Sequence, residues 1–159
     1  MIKILLPLLC LWCPALADTI TGRVVAVTDG DTIKVLDDTK TEHKIRLYGI
    51  DAPESKQAYG QRSKQALSGK VYNQTVRVEY TQRDRYGRIV GKVYNGAVYV
   101  NLEMVKDGMA WHYVQYAKRD EDLRQAQEQA KAARRGLWTD KDPVAPWVWR
   151  RLPKEQRKP

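Results

Sequence analysis

The chain is built largely from short stretches in which β-branched residues alternate with polar ones, separated by turn-forming residues, and helical spacing replaces this texture in only three places. Ile20 to Val27, Thr32-Ile33-Lys34-Val35-Leu36 and Glu42-His43-Lys44-Ile45-Arg46-Leu47-Tyr48 read as three antiparallel strands. Asp29-Gly30 joins the first pair, and Asp37-Asp38-Thr39-Lys40 the second. In the third strand Lys44, Arg46 and Tyr48 fall on one face and Ile45 and Leu47 on the other, so Arg46 leaves the surface beside the following loop.

Gln57 to Lys70 has no proline and carries Ala58, Ala66 and Leu67 among polar helix formers, which predicts a helix closed by Gly69. Thr75 to Tyr80 and Ile89 to Tyr94 alternate as strands, and the Asn95-Gly96 turn leads into Ala97-Val98-Tyr99-Val100. Asn101 is placed as the N-cap of a helix ending near Gly108, and Asp120 to Arg135 forms a charged helix stopped by Gly136. Five or six short strands with appended helices make the class α+β.

The two ends depart from this pattern. Residues 1–17 hold one early cation, Lys3, an apolar run and a terminal Ala15-Leu16-Ala17, the arrangement of a secretory signal peptide cut before Asp18. The run is too short for a spanning helix, and Pro7 and Pro14 interrupt it, so no stable membrane association is expected. Residues 18–140 form the globular domain. Residues 141–159 form a basic tail mixing Pro143, Pro146 and Pro153 with Trp147 and Trp149; it is either partly disordered or pinned by the tryptophans as far as Pro153.

Both cysteines, Cys10 and Cys13, lie in the leader, so the mature chain holds none and depends on no disulfide. The formal charge of +9 falls to +8 with the loss of Lys3, a field that attracts polyanions. A periplasmic or secreted monomer is the default for such a domain.

The chemistry gathers in Asp29-Gly30-Asp31-Thr32, Arg46-Leu47-Tyr48-Gly49-Ile50-Asp51-Ala52-Pro53-Glu54 and Asp84-Arg85-Tyr86-Gly87-Arg88. Phosphodiester hydrolysis must neutralise charge growing on phosphoryl oxygens while an attacking water loses a proton. Arg46 and Arg88 supply planar donor forks for the first task, and Glu54 a low-pKa carboxylate for the second. Asp31 and Asp51 come from different turns and offer hard oxygen ligands to a cation. The histidines, His43 and His112, lie far along the sequence from these motifs, which argues against zinc. Taken singly, each motif also reads as a hairpin turn, a loop before a helix or a solvated strand residue.

In this order and spacing, the motifs resemble the thermonuclease, or staphylococcal-nuclease-like, family from about Thr19 to Trp138; Gly108-Met109-Ala110 and Gly136-Leu137-Trp138 extend the likeness. The resemblance implies an OB-fold five-stranded β-barrel with three helices. It makes Arg46, Glu54 and Arg88 catalytic and puts Asp31, Asp51 and the Ala52 carbonyl around Ca2+, an ion that composition alone does not separate from magnesium. The best-known member has threonine where this chain has Ala52, so a hydroxyl is lost and a backbone ligand kept. Arg85, Tyr113 and Tyr116 are the implied substrate-binding residues. The implied activity is an exported, calcium-dependent, sugar-nonspecific nuclease that cuts DNA and RNA, preferring single-stranded regions, to 3′-phosphate ends. A noncatalytic OB-fold nucleic-acid-binding module is the alternative.

Overall fold

The computed structural model describes residues 17–157. The expected leader, but for Ala17, lies outside the described residues. Among those residues, no helix is long and apolar enough to cross a membrane.

The strands are β1 (Asp18–Asp29), β2 (Thr32–Asp37), β3 (Glu42–Leu47), β4 (Ile50–Asp51), β5 (Thr75–Arg83), β6 (Ile89–Asn95), β7 (Val98–Tyr99) and β8 (Trp111–His112). Sheet order is β3-β2-β1-β5-β6-β7, and a parallel pairing of β3 with β6 closes the first five of these into a barrel. The long β1 serves two neighbours, Asp18 to Arg23 facing β5 and Gly22 to Asp29 facing β2, with register shifts that bend it from one partner to the other. This is the α+β class that the alternating pattern predicts and the OB-type barrel that the family resemblance implies.

Period-two alternation explains how the barrel is filled. Ile33, Val35, Ile45, Leu47, Val76, Val78, Ile89 and Val93 are all but completely buried, while Lys44 is exposed and Arg46 half-buried on the outer face. Burial of each large aliphatic side chain contributes about 1.5–3 kcal/mol, which fixes the strand register and hence the face from which Arg46 projects.

The helices are α1 (Gly60–Val71), α2 (Val100–Lys106), α3 (Val114–Ala117), α4 (Glu121–Ala132) and α5 (Pro146–Trp149), with short 3-10 turns at Gly136–Thr139 and Lys154–Gln156. The three expected helices are α1, α2 and α4, with revised ends. Gly69 does not stop α1, which runs on to Val71 and turns at Asn73 with φ 59°. Its start moves from Gln57 to Gly60, because the Gln57 N–H is engaged by the Glu54 carbonyl in the preceding turn. Asn101 is no cap: the helix has already begun at Val100, and the Asn101 side chain is buried as a bridge. It accepts the Val93 N–H at 3.0 Å and donates to the Tyr48 carbonyl at 2.9 Å. The expected strand Ala97–Val100 shortens to Val98–Tyr99 accordingly. Asp120 does cap α4, accepting the Leu123 N–H at 3.1 Å, and that helix ends at Ala132, before the left-handed Arg134 and Gly136.

The tail packs on the barrel. Ala145, Pro146 and Trp149 are buried, the Gln57 side chain donates to the Val144 carbonyl at 2.6 Å, and Arg157 donates back to the carbonyls of Leu152 and Arg150.

Candidate active site

Three chain segments meet outside the closing edge of the barrel: the β1–β2 turn, the loop after β3, and the docked tail. Gly30 lets the turn approach closely, since a Cβ there would lie 2.8 Å from the Ala52 methyl and closer still to the Ser63 hydroxyl. Asp31, 6% exposed, then accepts the Ala52 N–H at 2.7 Å, joining turn to loop. Gly60 works similarly on the other side of the loop, because a Cβ there would drive into the Glu54 carbonyl.

Arg46 is the hub. One terminal nitrogen donates to the carbonyls of Leu47 and Ile50 at 3.0 and 2.8 Å; the other lies 3.0 Å from Asp51 Oδ1 and 3.2 Å from Asp31 Oδ2. Two carboxylates from separate motifs thus share one guanidinium nitrogen. Asp51 is 1% exposed, and burial pushes its carboxyl above the ordinary range although Arg150 and Arg46 both pull it back. Asp29, outside the expected ligand set, accepts the Asp31 N–H at 3.4 Å. Burial, then the neighbouring Asp31, push its carboxyl up to about 7.

Glu54 sits at the rim. Its Oε1 accepts from Arg150 at 2.7 Å, and the same Arg150 guanidinium holds Asp51 at 2.7 and 3.2 Å. Sequence reasoning misses Arg150 because its tail has no periodicity and its partners lie about a hundred residues upstream. Partial burial opposes its charge, but hydrogen bonds to Asp51 and Glu54 outweigh that and raise its pKa.

The remaining expected residues divide. Arg88 stands just before β6, two positions ahead of Val90, the residue that pairs with Arg46 across the parallel seam. The Arg88 guanidinium, however, is bound to Asp84 at 2.7 Å. Burial raises Asp84, yet the Arg88 side chain and the N–H groups of Arg88 and Tyr86 prevail and hold it below the usual carboxylate range. Arg85 lies on the exposed β5–β6 turn with its guanidinium over the Tyr86 ring. Burial, and then the Asp51 charge, push the Tyr113 phenol up. Its ring stacks on Trp147 at 5.3 Å and tilts against exposed Tyr116 at 5.0 Å. His112 lies opposite Ile50 in the β4–β8 pair, but its ring is buried against the Ala117 carbonyl rather than among the carboxylates.

The family described as Staphylococcal nuclease homologue matches residues 44–140, which hold Arg46, Asp51, Glu54 and Arg88. This chain belongs to that family. Among relatives of the staphylococcal nuclease homologues, a protein named "Uncharacterized endonuclease" from Escherichia coli is 51% identical over 138 residues, covering 86% of this chain and 89% of its own. A second of that name from Haemophilus influenzae is 48% identical over 134 residues, 84% of this chain and 75% of its own. A "Micrococcal nuclease" from Shigella flexneri is 42% identical over 151 residues, 89% of this chain and 86% of its own.

Staphylococcal nuclease homologues are generally metal-dependent. Among the described residues, no group of three or more acidic, histidine or cysteine side chains is arranged as a complete metal site. The donor chemistry nevertheless fits a hard cation. Asp31 and Asp51 are buried oxygen donors held together by one guanidinium, and the Arg150 guanidinium stands in as a positive charge between Asp51 and Glu54.

Proposed function

We infer that this protein is an endonuclease of the staphylococcal nuclease type, hydrolysing phosphodiester bonds in nucleic acid. The observation that carries this reading is that Asp31 from the β1–β2 turn meets Arg46 and Asp51, with Glu54 joined to Asp51 through Arg150. That set supplies both halves of phosphodiester chemistry, charge neutralisation and water activation.

Arg46 neutralises the equatorial oxygens, and Arg88 joins it from the turn just before β6 by leaving Asp84 for the phosphate. Glu54 has its second carboxylate oxygen free of Arg150 and takes the proton of the attacking water. The water oxygen bonds to phosphorus as the 5′ P–O bond breaks, the leaving 5′ oxygen takes a proton from solvent, and a 3′-phosphate end remains. Asp31, Asp51 and the Ala52 carbonyl would hold Ca2+, which would supply positive charge to the phosphate. Tyr113 and Tyr116 offer aromatic faces to unpaired bases, a sequence-tolerant contact that suits both DNA and RNA, and Arg85 adds a phosphate contact. The leader in residues 1–17 supports export of a monomeric enzyme to the periplasm or medium.

The test is cleavage of a labelled single-stranded oligonucleotide by the purified chain from Asp18, with calcium, with chelator, and with Glu54→Gln as the contamination control. The expected result is calcium-dependent cutting to 3′-phosphate ends, lost in the variant. Tight binding without cutting would overturn the catalytic reading and leave a nucleic-acid-binding barrel.

A further inference from the structure

Arg150 lies beyond the residues that match the family, yet its guanidinium donates to both Asp51 and Glu54, which no expected residue does. Its backbone is immobilised from both sides. Upstream, Trp149 is buried, and Trp147 stacks on Tyr113 and packs edge-on against Trp111, the residue opposite Asp51 in the β4–β8 pair. Downstream, Arg157 donates to the Arg150 carbonyl at 2.6 Å and lays its guanidinium over the Trp149 ring. A side chain delivered by packing on both flanks is placed there by the fold.

We propose that Arg150 is a positioning residue of the active site: it bridges Glu54 to Asp51, and it yields Asp51 when a divalent cation binds. The inference rests on the proposed roles of Glu54 and Asp51 in hydrolysis. One guanidinium nitrogen reaches both Glu54 Oε1 and Asp51 Oδ1, and the other takes Asp51 Oδ2. Only a planar fork spans two carboxylates in this way; an ammonium is a single point of charge. A cation on Asp51 competes with Arg150 for the same oxygens, so Arg150 weakens cation binding in the absence of substrate. Freed from Asp51, the 39% exposed guanidinium keeps Glu54, whose carboxylate otherwise swings on an open rim.

The test compares wild type with Arg150→Ala and Arg150→Lys. Calorimetric titration with calcium chloride, without nucleic acid, reads the competition; steady-state cleavage of single-stranded DNA at saturating calcium reads the positioning. Arg150→Ala is expected to bind calcium at least ~5-fold more tightly, because the competing charge is gone, and to lose at least ~10-fold in kcat with a much smaller change in KM. Arg150→Lys is expected to weaken calcium relative to Arg150→Ala while failing to restore kcat. Thermal melts of both variants establish that each is folded. Wild-type kcat in folded Arg150→Ala, or calcium affinity unchanged in it, would overturn the proposal. Failure of the wild type itself to cut would instead overturn the nuclease reading.

Discussion

The Arg46 guanidinium meets two backbone carbonyls and two carboxylates at once, and its side chain is only 14% exposed. Lysine keeps the charge but cannot reach all four acceptors from one ammonium, so Asp31 and Asp51 would be left short of partners in a buried setting. Arg46→Lys is therefore expected to lower kcat/KM by about 100-fold or more and to cost about 2–4 kcal/mol of stability, read by steady-state cleavage and urea denaturation. Near-wild-type turnover would remove Arg46 from the chemistry. Residues of this kind are legible because short motifs carry them: Asp31, Arg46, Asp51 and Glu54 all converge as the motifs suggest. Arg88 is legible as a residue but not in its pairing, since Asp84 lies four positions earlier in the same turn and takes its guanidinium first. Arg150 is illegible because nothing local in a Pro- and Trp-rich tail tells which distant carboxylate it meets.

Elements follow the sequence closely wherever a period exists and less closely at their ends. The strands of the barrel stand near their expected places, since alternating β-branched residues and paired turn residues agree with one another there. Helix ends shift where tertiary contacts outweigh local preference. Buried Asn101 serves the barrel rather than the helix start, and a side chain at Gly69 would meet open space, with no positive φ demanded of its backbone. The β2–β3 turn shows what an isolated hairpin contributes. Asp37 accepts from the Thr39 hydroxyl at 2.6 Å, from His43 Nε2 at 2.7 Å and from the Thr41 N–H at 2.9 Å, which together hold its carboxyl far below the ordinary 3.8. A depressed folded-state pKa means the unfolded chain takes up the proton first on acidification. The stabilisation is thus complete above about pH 4 and drains away as pH falls from there toward the folded-state value. Asp37→Asn is expected to be less stable than wild type at pH 7, with the gap narrowing below about pH 4 in denaturant titrations. A gap that stays constant across that range would show that these bonds do not depend on the charge.

At the scale of the whole molecule, a basic domain carries a tail rich in tryptophan and cations folded against its acidic cluster. Composition reveals the charge of +9, and the tail's two alternatives can be stated from sequence; the packing of Trp147 and Trp149 is not decidable without the barrel surface they cover. Arg150 meets the site directly and Arg157 folds back onto the Arg150 carbonyl, so these two tail cations border the site rather than trail from it. Deleting residues 141–159 in a Glu54→Gln background is expected to flatten the slope of log affinity for single-stranded DNA against log salt, by roughly 0.7 for each phosphate that the shortened chain no longer neutralises. An unchanged slope would mean that the tail cations never touch the phosphate backbone.

The parallel seam between β3 and β6 has a consequence for how the molecule comes into being. Ile45 meets Ile89 only across the intervening β4, α1 and β5, so this edge of the ring is sealed by a long-range pairing rather than by a hairpin, as is the edge between β1 and β5. Loop-closure entropy opposes that step until the core is ready to reward it, and barrels of this connectivity assemble on the scale of milliseconds to seconds. Arg46 and Val90 lie in the same seam. The hub of the candidate site therefore forms only when that long-range closure forms, and a chain caught with its ring open has strands but no assembled site.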